Sequence, residues 1–360
     1  MKNLRVKRLI NNKGLISNIE KILNFFIPNG LIYFLMERYY TDFGLEVSNA
    51  CNANCSFCAY RFMDRKLKIT RTEDIKKIID EYSFNGGGDV NFTPVVGDPL
   101  VDKNLLKKIK YCRSKKNIKH IWTYTNGLYL NRFDVREFIQ CGITRLSIST
   151  YLGDEEKYFK YYGSKNYRQI IENIKNITKM NNDLGQLVKI QLHLRVELPE
   201  ELWKDNSDFI EIKNLVGEKN ITFLDTYESW SGQIKESDIP KGTKMSNTNV
   251  NLNVKIKSPC FEMYRRVQIL SNGDVGVCVC RDIEGEINIG DINKESLEKI
   301  WRGDKLKNYR NNWTEGNIPS VCVSCDRYRP VDDYVKKNAF LIFTKHMKRY
   351  FNRTKKRLLN

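Results

Sequence analysis

The sequence predicts an α/β fold built around a parallel β-sheet. Between residues 45 and 227, short runs of β-forming residues alternate with longer segments of helical periodicity, a pattern typical of repeated βα units. Glycines and polar residues follow several of these runs. Because parallel strands end at one edge of a sheet, the sequence predicts a single pocket at that edge.

Six strands account for the β-forming runs. In chain order they are Leu45–Ser48, Val90–Val96, His120–Thr125, Arg145–Thr150, Leu187–Val196 and Ile221–Tyr227. Polar or turn residues mark the ends of four of them: Gly97-Asp98-Pro99, Asn126-Gly127, the Ser147/Ser149 pair, and the His193/Arg195/Glu197 set. One such ending would indicate only a turn, whereas four in succession favour a shared pocket.

The composition is that of a globular protein. Its 360 residues, 41% of them hydrophobic, can fill one large core or two smaller ones. No apolar run reaches the roughly 18 to 20 residues of a membrane span, and the basic start lacks a signal-peptide pattern. Ten cysteines without an export signal favour a cytoplasmic location and metal binding over disulfides.

The net charge of +18 is concentrated at the two ends of the chain. Residues 1–40 and 331–360 together contribute +12, and the 290 residues between them contribute +6. An enzyme acting on nucleic acid would more often carry a basic groove in its core. We therefore expect no nucleic-acid partner, and the basic ends suit solubility or an anionic surface.

A short loop after the first strand carries three cysteines in the run C-N-A-N-C-S-F-C. They are Cys51, Cys55 and Cys58. Three thiolates at this spacing can bind three irons of a [4Fe-4S] cluster and leave the fourth iron without a protein ligand. Buried or disulfide-bonded cysteines are the alternative, but polar Asn52, Asn54 and Ser56 separate the thiols and build no apolar face.

With Phe57 as the aromatic residue before the last cysteine, the loop resembles the C-x3-C-x2-C motif of the radical S-adenosylmethionine (SAM) superfamily. The resemblance implies an open, TIM-like (β/α)6 partial barrel, in agreement with the six strands. It also implies that SAM chelates the open iron. Reductive cleavage of SAM then gives a 5'-deoxyadenosyl radical that removes hydrogen from substrate, and an external donor such as flavodoxin or ferredoxin supplies the electron.

The same resemblance assigns further residues to SAM binding. Gly97 and Asp98 match the motif that holds the SAM amino group, although the acid is one methylene shorter than the usual Glu. An N-cap role for Asp98 is a compatible alternative. Ser149 matches a hydroxyl offered to the ribose, and Arg195 can pair with the SAM carboxylate through its planar guanidinium.

A second cysteine set lies near the C-terminus. Its members are Cys260, Cys278, Cys322 and Cys325. Zinc could bind four such thiolates. The segment resembles the SPASM and twitch domains of radical SAM enzymes through Asn272-Gly273-Asp274, Ile289-Gly290-Asp291, Leu297–Trp301 and the closing C-V-S-C. Five cysteines instead of about seven favour one auxiliary [4Fe-4S] cluster, with Cys280 either a packed thiol or a substitute ligand or hydrogen donor.

A fully ligated cluster beside a radical site is best explained as an electron carrier. We therefore expect oxidation of a hydroxyl-bearing small molecule such as a sugar, nucleotide sugar or cyclitol. Epimerisation is expected instead if a free thiol faces the substrate. A peptide maturase is the alternative enzyme, although such enzymes usually carry a leader-recognition domain of roughly 80 residues. A non-catalytic iron-sulfur or zinc electron carrier is the alternative outside enzymes.

These assignments divide the chain into five parts. They are an N-terminal helical extension (1–40), the radical SAM partial barrel (41–230), a linker (231–257), the auxiliary-cluster domain (258–330) and a basic amphipathic helix (331–360). Within the last part, Tyr334–Leu358 shows helical periodicity with a basic face. That helix either packs on the barrel or attaches to an anionic membrane surface.

Overall fold

The computed structural model describes residues 24, 27–195, 205–246 and 251–358. Its helices are Asn29–Arg38, Thr72–Phe84, Leu105–Arg113, Val135–Gln140, Glu155–Tyr162, Tyr167–Asp183, Ser207–Val216, Leu252–Lys255, Leu297–Arg302, Asp304–Thr314, Ser320–Val323 and Val331–Leu358. Its strands, β1 to β11 in chain order, are Asp42–Leu45, Gly88–Asn91, Ile118–Thr125, Arg145–Thr150, Lys189–Arg195, Ile221–Leu224, Thr226–Tyr227, Lys244–Met245, Arg266–Ile269, Asp274–Gly276 and Asn288–Asp291.

Six parallel strands form the barrel portion of the main sheet. Strands β1 to β6 lie side by side in chain order. Helices lie between successive strands along the chain, as expected for right-handed βα units. Strand β6 ends the sheet without pairing back to β1, so the barrel is open and the predicted partial barrel is confirmed.

The auxiliary strands extend the same sheet beyond β1. Strand β9 pairs with β1 in parallel, and β10 and β11 continue the sheet in antiparallel fashion. The turn between β9 and β10 contains Gly273 at φ +100°, where an added Cβ would lie 2.1 Å from the Asn293 side chain. The C-terminal domain is therefore joined to the barrel through a continuous sheet.

The first strand lies three residues earlier than predicted. An added Cβ at Gly44 would come within 1.9 Å of the Gln268 side chain of β9, so the strand contains a glycine where its neighbour approaches closely. Glu46 follows the strand and is fully buried. It forms an ion pair with Arg65 at 2.8 Å and accepts a hydrogen bond from the Ser271 amide. Because of Gly44 and Glu46, a hydrophobicity pattern does not predict the strand at these positions.

The C-terminal helix packs on the barrel. Its buried face includes Ile342, His346 and Arg349, whereas the apolar Phe351 side chain is 61% exposed. The Arg349 guanidinium lies 4.2 Å from the centroid of the Tyr40 ring, a cation–π contact that stabilises a buried arginine. Among the described residues, no helix is long and apolar enough to cross a membrane.

Candidate active site

The cysteine loop after β1 is held by the end of the helix Glu155–Tyr162. The Asn54 amide donates to the Tyr162 carbonyl at 3.1 Å, and the Ser56 amide donates to the Tyr161 carbonyl at 2.9 Å. The helix ends at Gly163, whose φ is +63° and whose added Cβ would lie 2.6 Å from the Asn54 carbonyl oxygen. Free carbonyls of a helix end thus fix the loop.

The three thiols of the loop share one site. Burial raises the pKa of Cys51 to about 12 and holds the pKa of Cys55 well above its usual range. The charges of Cys58 and Cys51 raise the pKa of Cys55 further, whereas Arg195 lowers it. Buried, mutually close thiols of this kind release their protons when a metal binds. The donor set therefore fits an iron-sulfur cluster.

Asn126 connects the third strand to this loop. Its side-chain amide donates to the Cys51 sulfur at 3.7 Å and to the Asn52 side chain at 2.7 Å. Hydrogen bonds to the sulfurs of an iron-sulfur cluster change its reduction potential. Sequence reasoning placed Asn126 at a strand end without assigning it this contact.

A cavity of about 640 Å³ opens over the three cysteines, a size typical of small-molecule sites. Its lining includes all five residues that the sequence assigns to SAM, namely Phe57, Gly97, Asp98, Ser149 and Arg195. Strands β3, β5 and β6 contribute further side chains, including Tyr124, His193 and Thr222. Polar strand ends thus meet in one pocket, as the sequence predicts.

The Asp98 carboxylate is buried and hydrogen-bonded to other groups of the protein. It is 2% exposed and accepts hydrogen bonds from the Leu100 amide at 2.9 Å, the Thr125 hydroxyl at 2.8 Å and the Asn126 amide at 2.7 Å. Burial raises its pKa to about 6 against the opposing effect of these bonds. The compatible N-cap role is therefore present, and the carboxylate joins the turn that follows β2 to the end of β3.

Gly97 brings this turn against the cysteine loop. Its φ is +118°, and an added Cβ would lie 2.8 Å from the Asn49 backbone. The Asp98 amide donates to the Ala50 carbonyl at 2.8 Å. Only glycine permits so close a backbone approach.

Arg195 places a cation in the cavity. Its guanidinium carbon lies 5.1 Å from the centroid of the Phe57 ring and 5.3 Å from that of Tyr227. Its Nε donates a long hydrogen bond of 3.4 Å to the Ser149 hydroxyl. No carboxylate pairs with it in the part of the chain that the structure describes. An anionic ligand group can therefore pair with it.

Sequence reasoning placed His193 at the end of the fifth strand, facing the pocket, without assigning it a chemical role. It lies opposite Ser149 in the register of β4 and β5, and its ring centroid is 5.1 Å from that of Tyr124. Its Nε2 is buried and makes no hydrogen bond to the described residues. Burial lowers the pKa of His193, and the nearby Arg195 and Arg145 lower it further. The imidazole is therefore neutral at pH 7, and the alternation along β5 was the sequence signal for its inward position.

The C-terminal cysteines meet in a second, smaller cavity, which all five of them line. Burial holds the pKa of Cys322 well above its usual range, and the charges of Cys278, Cys260 and Cys325 add to that effect. The four predicted ligands are thus mutual neighbours, with Cys280 beside Cys278. In the described ranges, no three His, Cys, Asp or Glu side chains are close enough to bind a single metal ion.

An ionic network separates the two cavities. Arg281 binds Asp326 at 2.7 Å and Glu228 at 2.9 Å, and Glu228 also pairs with Arg327. Glu228 lines the larger cavity, whereas Arg327 lines both. The C-terminal domain therefore forms part of the wall of the larger cavity.

Two family models match the chain. The radical SAM superfamily model matches residues 45–200, and the SPASM model, an iron-sulfur-cluster-binding domain, matches residues 260–326. Together they cover well over half of the sequence. The first match implies a [4Fe-4S] cluster with SAM and the second implies auxiliary iron-sulfur clusters, and the cysteines for both are present.

Curated relatives are distant and match in part. GTP 3',8-cyclase of Mannheimia succiniciproducens is 22% identical over 188 residues, covering 51% of this chain and 52% of that protein. Molybdenum cofactor biosynthesis protein moc-5 of Caenorhabditis elegans is 20% identical over 346 residues, covering 85% of this chain and 56% of that protein. The chain therefore spans about half the length of these relatives.

Solved structures show the same fold. BtrN in complex with AdoMet and 2-DOIA has a TM-score of 0.51 at 16% identity, covering 81% of this chain and 95% of that one. Streptococcus suis SuiB bound to the precursor peptide SuiA has a TM-score of 0.52 at 16% identity, covering 75% and 66%. With both family models matched and their cysteines gathered in two sites, the chain belongs to the radical SAM superfamily and carries a C-terminal SPASM iron-sulfur domain.

Proposed function

We propose that this protein is a radical SAM enzyme that oxidises a hydroxyl-bearing small molecule, such as a sugar, nucleotide sugar or cyclitol, to a ketone. The observation that carries the proposal is the position of Arg327, which lines both the cavity over the cysteine loop and the cavity of the C-terminal cysteines. A substrate in the larger cavity would therefore lie between the two iron-sulfur sites.

The proposed cofactor contacts follow from the lining of the two cavities. Cys51, Cys55 and Cys58 would hold the first cluster, and Cys260, Cys278, Cys322 and Cys325 would hold one auxiliary [4Fe-4S] cluster. When bound, the first cluster and SAM would supply a 5'-deoxyadenosyl radical that removes the carbinol hydrogen atom. The auxiliary cluster would accept the remaining electron. Flavodoxin or ferredoxin would be suitable donors for SAM cleavage.

Three elements of the pocket would orient SAM. Phe57 lies within the cysteine loop and the Gly97 backbone lies against it, and the Ser149 hydroxyl would bind the ribose. Arg195 would bind the SAM carboxylate, because its guanidinium has no acidic partner in the described ranges. Asp98 would act by fixing the turn at Gly97, since its carboxylate already accepts three hydrogen bonds.

His193 would accept the proton of the substrate hydroxyl. Asp98 is fully hydrogen-bonded, and Glu228 is paired with Arg281 and Arg327. Among the described residues that line the cavity, His193 is then the neutral base with an unoccupied ring nitrogen. The hydrogen atom, the proton and the electron each have an acceptor, so the conversion of the carbinol to a ketone is balanced in atoms and electrons.

The proposed substrate class rests on the size and lining of the cavity. At about 640 Å³, it suits a small molecule beside SAM. Tyr124, Thr222 and Thr226 provide hydroxyl groups along its wall, as a polyol would require. BtrN, which shares the fold, binds AdoMet together with 2-DOIA, and we propose likewise that this cavity holds SAM together with a second ligand.

A peptide substrate is the second candidate, favoured by the fold shared with SuiB bound to its precursor peptide. The two candidates are separated by anaerobic reconstitution followed by incubation with SAM and reductant. Polyols deuterated at their carbinol carbons and deuterated peptides encoded by neighbouring genes are tested in parallel. Deuterium in 5'-deoxyadenosine together with a ketone product supports the proposal. Deuterium transfer from peptides alone would replace it with the maturase function.

A further inference from the structure

Lys255 is a buried lysine beneath the C-terminal cysteines. It ends the short helix Leu252–Lys255, within the segment expected to be a linker, and its side chain is 0% exposed. Lysine is almost never fully buried unless its charge has partners. Its burial therefore requires an explanation in its surroundings.

The ammonium group is hydrogen-bonded to the backbone of the cysteine turn. Nζ donates to the carbonyls of Cys322 at 3.1 Å, Val323 at 2.8 Å and Cys325 at 2.9 Å. A protonated lysine has three N–H donors, and a neutral amine would have only two. Three converging carbonyls thus match the charged form.

The surrounding side chains hold Lys255 in this position. The Trp313 indole donates to the Lys255 carbonyl at 2.7 Å, and the Tyr328 hydroxyl donates to it at 3.3 Å. The Trp313 and Tyr328 rings stack at 6.0 Å with an interplanar angle of 10°. The charge is therefore fixed beside Trp313 and Tyr328, which line the cavity of the C-terminal cysteines.

In the described part of the chain, the three hydrogen bonds of the Lys255 ammonium leave its charge to be balanced by groups farther away. Burial lowers the pKa of Lys255, and the charges of Cys325, Cys322 and Asp326 oppose that shift. The Lys255 Nζ contacts above are all made to carbonyl oxygens. The positive charge thus lies against the turn that carries Cys322 and Cys325, two of the cysteines that would ligate the auxiliary cluster.

We propose that Lys255 sets the reduction potential of the auxiliary cluster by favouring its more negative, reduced state. Reduction adds one negative charge in a site shielded from water, where a nearby fixed cation acts strongly. Charge and hydrogen bonding around a cluster are recognised determinants of its potential. Lys255 is thus a positioning and tuning residue, and this inference rests on the auxiliary cluster of the proposed function.

The test isolates the auxiliary cluster by replacing Cys51, Cys55 and Cys58 with alanine in the full-length chain. Its midpoint potential is then measured by an EPR-monitored redox titration, with iron and sulfide analysis. Lys255→Gln keeps a hydrogen-bond donor without the charge. We expect at least a tenfold loss in the reduction equilibrium constant, a shift of 59 mV or more to lower potential. The exposed Lys257→Gln removes the same net charge and should leave the potential unchanged.

Each outcome decides a separate point. An unchanged potential in a Lys255→Gln variant with full iron content would overturn the inference. If that variant loses its cluster, Lys255→Arg tests the inference in its place. A retained cluster with the parent potential in Lys255→Arg supports the role of the charge. A lost cluster or a shifted potential contradicts it. If the parent triple variant binds no cluster, the auxiliary cluster of the proposed function fails instead.

Discussion

The Arg281 guanidinium and the Asp326 carboxylate form a buried ion pair at 2.7 Å, with side chains 4% and 0% exposed. Arg281 also lies 4.9 Å from the Trp230 ring centroid and binds Glu228. The wall between the two cysteine cavities is therefore fixed by charge as well as by packing. Removing Asp326 would take from the buried Arg281 guanidinium the closer of its two carboxylate partners.

We expect Asp326→Ala to lower the free energy of unfolding by about 1.5 to 3 kcal/mol, since it removes a hydrogen-bonded ionic partner of the buried Arg281 guanidinium. Chemical denaturation of the reconstituted protein under anaerobic conditions measures the change. The exposed pair Lys299 and Glu295 provides the control. Glu295→Ala should cost about 1 kcal/mol or less, and equal losses in the two variants would refute the role given to the buried pair.

Gly163→Ala tests the anchoring of the cysteine loop. The substitution adds a Cβ at φ +63° and at 2.6 Å from the Asn54 carbonyl oxygen, whereas Gly185→Ala adds one at φ +79° with nothing within 4 Å. Both variants lose about 1 kcal/mol of stability because a residue with a Cβ is disfavoured at positive φ. Only Gly163→Ala also displaces the cysteine loop. We expect a lower iron content after reconstitution in Gly163→Ala alone, and equal iron contents would argue against the anchor.

Arg195→Lys should weaken SAM binding by tenfold or more. A lysine keeps the charge but loses the planar fork that pairs with a carboxylate, and hydrogen bonds to charged groups contribute about 1.5 to 3 kcal/mol. Equilibrium binding of SAM to the reconstituted protein measures the change. Arg168→Lys, at a side chain that is 72% exposed, is the control. An unaltered dissociation constant with full iron content would exclude Arg195 from the SAM site.

His193→Gln should uncouple substrate oxidation from SAM cleavage. Loss of a general base lowers the chemical step by about 10²- to 10⁴-fold, so the ratio of ketone to 5'-deoxyadenosine falls. The exposed His120 gives the matched variant His120→Gln, for which the ratio should not change. A wild-type ratio in His193→Gln would remove the imidazole from the mechanism.

The pH dependence of that ratio follows from the surroundings of His193. Arg195 on the same strand and Arg145 on β4 face it, and burial is the larger influence that lowers its pKa below the usual 6.5. The base form is therefore present at neutral pH and is lost as the pH falls through this lowered pKa. We expect an acid limb below pH 6.5 in the wild type and none in His193→Gln.

Much of the fold was predictable because the barrel strands have local signatures. Strands β3 and β4 begin or end within two residues of the predicted bounds, since β-branched and aromatic runs with polar ends mark them. The cysteine spacings predicted two sites, and each set of thiols shares one cavity. The predicted position of β1 was wrong because Gly44 contacts β9 and Glu46 pairs with Arg65. Local sequence patterns do not encode such contacts.

Other site features depend on contacts distant in sequence. Lys255 lies in a polar stretch that resembles a linker, and its burial depends on carbonyls 67 to 70 residues away. Its role could not be read from spacing alone. The hydrogen bonds from Thr125 and Asn126 to Asp98 likewise appear only when β2 and β3 pair. The part of the prediction at Glu197 lies outside the described residues.

The most direct test of the radical SAM assignment is the cleavage of SAM by the anaerobically reconstituted protein, with 5'-deoxyadenosine quantified by mass spectrometry. We expect the wild type and Cys141→Ala, whose altered cysteine lies outside both cavities, to form 5'-deoxyadenosine in the presence of a reductant. Cys55→Ala should form none. A wild-type protein with a full [4Fe-4S] complement that leaves SAM intact would contradict the account.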